Sequence, residues 1–215
     1  MRGGGGKDAG QAFPVYIAAI GGVLFLAFAY FMVGQAASTR NGAQTAADAA
    51  ALAAAQDARD QLREGWLDVI LDPAQWDRFR EAKEYTTSSA CRQAAVFAAR
   101  NGASFAGDEC FRLAGGREGF SVTVRTTGAE TWHATASATA VIEPKCSFEA
   151  PETPAPEETE PDPDPEKPED PELEEEPEPI TGLICEGDAW TIDPDDPELP
   201  SVTDLFTVRL TGDDE

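Results

Sequence analysis

From Ala9 to Thr39 the chain carries no charged residue, and within that span residues 13–33 read FPVYIAAIGGVLFLAFAYFMV. A helix over residues 13–34 is about 33 Å long at 1.5 Å per residue, close to a hydrocarbon core of about 30 Å. Eleven of its 22 residues are Leu, Ile, Val or Phe, and on the insertion scale they favour the bilayer by roughly 3 to 6 kcal/mol. Pro14, Gly21 and Gly22 weaken an isolated helix in water but are tolerated in lipid. Tyr16 and Tyr30 lie near its two ends, where interfacial aromatics collect. The pattern predicts one transmembrane helix over 13–34. A buried soluble helix seldom runs so far without a charge. A cleavable signal peptide is the stronger competitor: its apolar region is normally ~7–15 residues, shorter than this one, but Gly34-Gln35-Ala36-Ala37-Ser38 offers small residues to a peptidase.

Residues 43–55 follow as AQTAADAAALAAA, with nine alanines in thirteen positions. Alanine has the highest helix propensity, and Asp48, Asp57, Arg59 and Asp60 supply polar positions. Such a helix is either a smooth flank for close packing against a neighbour or simply a stable exposed helix. Asn41-Gly42 either bends the junction with the apolar segment or is passed straight through. Leu62, Trp66, Leu67, Val69, Ile70 and Leu71 then form an apolar patch ending at Asp72-Pro73. That pair starts a short helix with Trp76 and Phe79 on one face. Ser88 or Ser89 is expected to cap a helix running to Arg100 and stopped by Asn101-Gly102, with Ala94, Ala95, Phe97, Ala98 and Ala99 facing a core.

The period then changes from helical to alternating. Phe120, Val122 and Val124 alternate with Ser121, Thr123 and Arg125, the pattern of a half-buried strand. Residues 131–142 repeat it, with Trp132, Ala134, Ala136, Ala138, Ala140 and Ile142 on one face and His133, Thr135, Ser137 and Thr139 on the other. Gly128-Ala129-Glu130 would connect the two strands, and Gly115-Gly116 would turn in an earlier strand around Phe111 and Leu113. The alanine row leaves room for a helix to lie close against the sheet. The expected fold class is α+β: a single N-terminal transmembrane helix continuing into a long Ala-rich helix, then helices packed on a small antiparallel sheet.

Charge adds a second division. The formal net charge is −24, yet residues 1–150 hold 14 Lys/Arg against 16 Asp/Glu. Residues 151–179 hold 14 acids, ten prolines and one Lys, and residues 180–215 hold ten acids and Arg209. A nucleic-acid partner is excluded, because phosphate neutralisation needs basic surface. The acidic Pro/Glu segment cannot bury enough apolar surface to order itself, and is expected to be disordered and extended, reaching up to about 90 Å. It either holds the C-terminus far from the domain or, closed by a Cys146–Cys185 bond, forms a loop. The loop is the favoured reading, and it lets Phe206, Val208 and Leu210 return to the sheet on an added strand. The expected organisation is a cytoplasmic leader (1–12), a transmembrane helix (13–34), an extracytoplasmic α+β domain (35–148), an acidic Pro-rich loop or linker (149–180) and a C-terminal β segment (181–215).

Candidate chemistry is sparse. Cys91, Cys110, Cys146 and Cys185 are even in number and none lies in a C-x-x-C pair, so outside the cytoplasm they read as structural disulfides. Three pairings exist. Cys91–Cys110 with Cys146–Cys185 is favoured, because the first ties the last helix to the first strand and the second flanks the Pro/Glu run. Trp66, Trp76 and Trp132 read as packing rather than as a ligand-stacking set. His133, the one histidine, has no arranged nucleophile or second ligand. Asp193, Asp195, Asp196 and Glu198 lack the turn glycine of a calcium loop and are interrupted by two prolines, which makes them a solvated acidic turn. With no nucleotide-binding loop, zinc cluster or nucleophile motif, no catalytic residue, cofactor or metal is expected, and no enzyme.

The order of the N-terminal elements is more specific than any one of them. Gly10-Gln11-Ala12 introduces the apolar helix, and a polar break leads to Arg40-Asn41-Gly42-Ala43-Gln44-Thr45-Ala46-Ala47-Asp48-Ala49-Ala50-Ala51-Leu52-Ala53-Ala54-Ala55. Over roughly residues 8–57 this resembles the N-terminal module of the TadE/TadG-like proteins of the tight-adherence (Flp) pilus system. In that family a short Gly-containing leader precedes a membrane helix and an alanine–aspartate run. The resemblance implies a bitopic, pilin-like envelope protein that works with machinery for secreting and assembling surface fibres. Pilins cut by a prepilin peptidase carry Glu five residues after the leader glycine; counted from Gly10 that position is Val15, so a retained anchor is the implied form.

Arg2 and Lys7, opposed by Asp8, keep the N-terminus cytoplasmic and send the rest across the bacterial cell membrane. Two functions remain. The first is a non-enzymatic component of a Tad/Flp-type pilus assembly or secretion system, whose partners are the membrane lipid bilayer and other pilus-assembly or secretion proteins. The alternative is a surface-exposed adhesion or binding module using its acidic C-terminal region. The first expects partner cross-links along residues 43–57. The second expects that stretch to tolerate charge while changes in residues 150–215 abolish function. An ordinary secreted protein would require removal of the first ~36 residues.

Overall fold

The computed structural model describes residues 12–128, 133–150 and 178–212. Its first element, α1 (Ala12–Leu67), is one unbroken helix of 56 residues, about 84 Å long at 1.5 Å per residue. It passes straight through Asn41-Gly42. On either side of that pair the hydroxyls of Thr39 and Thr45 donate to the carbonyls of Gln35 and Asn41, at 3.1 and 3.0 Å.

A 3₁₀ turn at Pro73–Gln75, with Pro73 in its first position, leads into the single-turn α2 (Asp77–Arg80) and then α3 (Thr87–Arg100). The start of α3 lies ahead of the expected Ser88 or Ser89. Thr86 occupies the N-cap without a side-chain capping bond, and its N–H instead donates to Oε1 of Gln61 on α1 at 2.9 Å. A tertiary contact, not a cap, sets this boundary. The expected stop holds: Asn101 Nδ2 donates to the Phe97 carbonyl at 2.8 Å, and Gly102 reverses the chain at φ +70°, a conformation that favours glycine.

The buried stripe of α3 is Ala90, Ala94 and Ala98, one residue per turn. Ala95 and Ala99 are exposed and Phe97 is only half-buried, contrary to the sequence expectation. The opposing surface of α1 is itself built of alanine, so a single line of contact is what fits. Phe97 lies outside it, beneath the Arg100 guanidinium at 5.2 Å.

The strands are β1 (Ala103–Arg112), β2 (Glu118–Thr126), β3 (Thr135–Pro144), β4 (Cys146–Phe148), β5 (Ile180–Cys185) and β6 (Asp188–Ile192). The one-turn α4 (Val202–Leu205) and β7 (Phe206–Thr211) complete the chain. They form two antiparallel sheets, ordered β1-β2-β3-β7 and β4-β5-β6. Gly119 of β2 has φ +148°, and a Cβ there would overlap the backbone oxygen of Ala140 on β3. β3 starts at Thr135, with His133 and Ala134 outside it; the Thr126 N–H donates to the Ala134 carbonyl at 3.0 Å, and its hydroxyl accepts the Ala134 N–H at 3.1 Å. Thr131 and Trp132, the proposed connection at Ala129 and Glu130, the leader up to residue 11 and the acidic run over 151–177 lie outside the described residues.

The C-terminal segment returns to the main sheet. β7 pairs with β3 from Pro144↔Phe206 to Thr139↔Thr211. Nε of Arg209 sits 3.0 Å from both carboxylate oxygens of Glu143. The second sheet extends the expected single one, since β3 and β4 are separated only by Lys145. That residue is held from three sides: its N–H donates to Leu205, and its ammonium reaches the Thr203 carbonyl at 2.9 Å and Glu186 at 2.8 Å. Glu186 and Gly187, at φ +53° and +97°, make the two-residue turn of the β5–β6 hairpin.

Helices α1 and α3 cover one face of the main sheet. Phe120, Val122, Val124, Ala138, Ala140 and Ile142 are buried there, as their alternation predicts. The core widens along α1, from alanine against alanine to a cluster in which Trp66 meets Trp76 and Phe206 edge-on at 5.8 and 6.5 Å and Trp76 meets Phe148 at 4.8 Å.

Candidate membrane anchor and contact surfaces

α1 divides into two stretches of opposite fate. Its large apolar side chains from Phe13 to Val33 are between 42% and 83% exposed, so no part of the described chain covers them. Among the described residues this is the one helix long and apolar enough to cross a membrane. A surface of this kind has no stable place in water. Residues 34–42 form an almost bare neck. Burial starts at Ala43 and is complete at Ala46, Ala47, Ala50, Ala51, Ala54, Ala55 and Ala58.

The alanine run is therefore not an exposed helix but a smooth flank for close packing, and the neighbour it packs against is its own chain. Its neighbours are α3, β2 and β3 of the same chain. Methyl side chains let helix and sheet approach closely enough to exclude water, which a row of leucines would prevent. What remains open on this part of α1 is the side bearing Thr45 and Gln56.

The sulfur atoms of Cys91 on α3 and Cys110 on β1 are bonded, with Cα atoms 5.8 Å apart. Cys146 and Cys185 are direct register partners on β4 and β5, bonded with Cα atoms 4.1 Å apart. The second bond clamps the two chain ends from which residues 149–179 depart. Trp66 and Trp76 are core residues, the latter donating Nε1–H to the Val69 carbonyl at 3.1 Å. His133 is exposed just before β3. Asp193 and Asp196 bridge a turn in which Asp193 Oδ1 accepts the Asp195 N–H at 2.9 Å, and among the described residues no group of His, Cys, Asp and Glu is arranged to hold a metal.

One polar cluster has no counterpart in the sequence reading. The Tyr85 hydroxyl donates to Glu118 at 3.1 Å, Glu118 accepts Nε–H of Arg112 at 2.7 Å, and the Arg112 guanidinium lies 4.3 Å from the Tyr85 ring centroid. Burial pushes the Tyr85 phenol above its ordinary pKa, against the pull of the Arg112 charge. The three residues are 6 to 33 positions apart in sequence and lie in no motif, so only the α2–α3 connection and the β1–β2 hairpin bring them together. They tie the loop before α3 to the sheet and leave no reactive group.

Residues 10–57 match the family model described as putative Flp pilus-assembly TadE/G-like. The match covers the bare segment, the neck and the buried alanine run. No curated protein and no solved structure matches the chain.

Proposed function

We propose that this chain is a membrane-anchored, pilin-like envelope protein of a Tad/Flp-type pilus-assembly or secretion system, acting through protein–protein contacts and without catalysis. The observation that carries this reading is a single unbroken helix. It joins a bare apolar segment of membrane length to an alanine run locked into a folded body, within the stretch that matches the pilus-assembly family.

In this reading residues 1–12 are a cytoplasmic leader, 13–34 the span, 35–148 an extracytoplasmic α+β domain, 149–180 an acidic loop and 181–215 a β segment. Two disulfides suit the oxidising side of a bacterial cell membrane. Partner proteins meet the open side of α1 at Thr45 and Gln56 rather than the alanines.

Native membranes and spheroplasts test this together. The intact chain is expected to stay in the pellet after alkaline extraction, and external protease is expected to reach everything beyond the neck. A non-reduced digest should return Cys91–Cys110 and Cys146–Cys185 peptides. Photo-cross-linkers at positions 45 and 56 should trap envelope proteins only when the assembly system is present. A soluble chain with four free thiols overturns the proposal.

A further inference from the structure

Charge is not spread evenly along the axis of α1. α3 runs back towards the bare segment, and β2 ends at the same level. The Thr127 N–H donates to the Gly102 carbonyl at 2.8 Å, and Ser38, Gly42, Asn101, Gly102 and Thr126 line one shallow cavity of about 180 Å³. Slightly higher, Gln44 Nε2 donates to the Ser137 carbonyl at 3.4 Å, which fixes the height of β3 against the helix.

Three exposed arginines mark this end: Arg40 on α1, Arg100 at the end of α3 and Arg125 near the end of β2. Residues 34–43, 97–105, 123–128 and 133–137 contain no Asp or Glu. The whole chain has 40 acids against 16 Lys and Arg, so the sign of the charge reverses locally, even with Glu130 of the β2–β3 connection counted against the three arginines. None of the three arginines makes an ion pair among the described residues.

Height decides what they face. Arg40 stands seven residues beyond Val33, about 10 Å along the helix, and the headgroup layer extends about 5–8 Å beyond the hydrocarbon on each side. Arginine stems can bend back toward a membrane surface while keeping the charge at the headgroups, and the guanidinium fork matches phosphate geometry.

We infer that Arg40, Arg100 and Arg125 dock the membrane-proximal end of the folded body on anionic phospholipid headgroups of the bilayer that α1 crosses. This rests on the anchor reading above. Each arginine near an anionic surface contributes roughly a fivefold preference, about a hundredfold for three. The acidic remainder is repelled by the same surface, so both effects hold the body in one orientation with its distal end outward.

The test uses the full chain carrying Ser104→Cys, an exposed position paired with Arg125, labelled with an environment-sensitive nitrobenzoxadiazole. It is reconstituted in nanodiscs of phosphatidylcholine alone or with one-third phosphatidylglycerol. The probe is expected to brighten and shift to the blue in the anionic discs, and to lose that gain at high salt. The combined variant Arg40→Gln, Arg100→Gln, Arg125→Gln should return it to the phosphatidylcholine value, whereas Arg92→Gln, on the first half of α3, should leave the gain in place. Equal signals in the two lipids, or a gain insensitive to salt, overturn the inference while leaving the anchor intact. A chain that does not enter the discs overturns both.

Discussion

The two halves of α1 invert the usual relation between hydrophobicity and burial. From Phe13 to Val33 the helix carries the chain's densest run of large apolar side chains, and none of them touches the folded body. From Ala43 to Ala58 ten of its sixteen residues are alanine, and most of those alanines are fully buried. Large side chains serve where the surroundings are fluid and fill any shape, as lipid does. Small ones serve where the surroundings are a helix and a sheet with fixed positions. One continuous helix joins the two regimes, so the orientation of the folded body is mechanically coupled to that of the span.

The largest expected effect comes from the wide end of the buried half. Trp66→Ala should cost about 3–5 kcal/mol, because Trp66 contacts Trp76 and Phe206 at the centre of the aromatic cluster. Chemical denaturation followed by near-UV circular dichroism reads it, and a loss below 1 kcal/mol would mean that cluster is not the core. A matched pair probes the comparison directly. Ala54→Leu adds volume where none is free and should cost about 1–3 kcal/mol. Leu26→Ala, removing the same groups from the bare half, should leave the unfolding of the folded body within about 0.5 kcal/mol. Equal costs would break the division.

The smallest effects concern pH. The folded state holds Tyr85 above its ordinary pKa, so its contribution is complete below about pH 10 and is lost as pH rises from there through the folded value. Tyr85→Phe should cost about 1 kcal/mol at neutral pH and flatten the alkaline limb of a melting profile. The Arg209 fork lowers the Glu143 carboxyl. Its stabilisation is present above the ordinary carboxyl range and lost as pH falls through the lowered value. Because the pair is largely exposed, Glu143→Gln should remove less than about 1 kcal/mol, seen as a smaller acid sensitivity.

Much of this was legible before any coordinates. The run FPVYIAAIGGVLFLAFAYFMV has the length and composition of a span, and the alternation of Phe120, Val122 and Val124 places their buried face correctly. Pro73 and Gly102 mark their boundaries because proline fixes φ and glycine tolerates the positive φ that reverses the chain. The errors share another cause. The start of α3 depends on Gln61, and the start of β3 on an Ala134 N–H that the Thr126 hydroxyl accepts. Short strands such as β5 and β6 carry too few alternations to stand out, and the Tyr85–Glu118–Arg112 cluster depends on groups far apart in sequence.

Sequence alone determined that the chain has an apolar segment of membrane length, an alanine helix after it, helices before strands, and nearly all its net negative charge in the last third, because each rests on local periodicity or composition. Tertiary structure alone decided that the alanine face is spent inside the molecule, that β3 is the strand the returning C-terminal segment pairs with, and that three arginines from separate elements share one rim. Those outcomes depend on which surfaces meet after the chain turns back on itself. No window along the chain contains both partners of such a meeting.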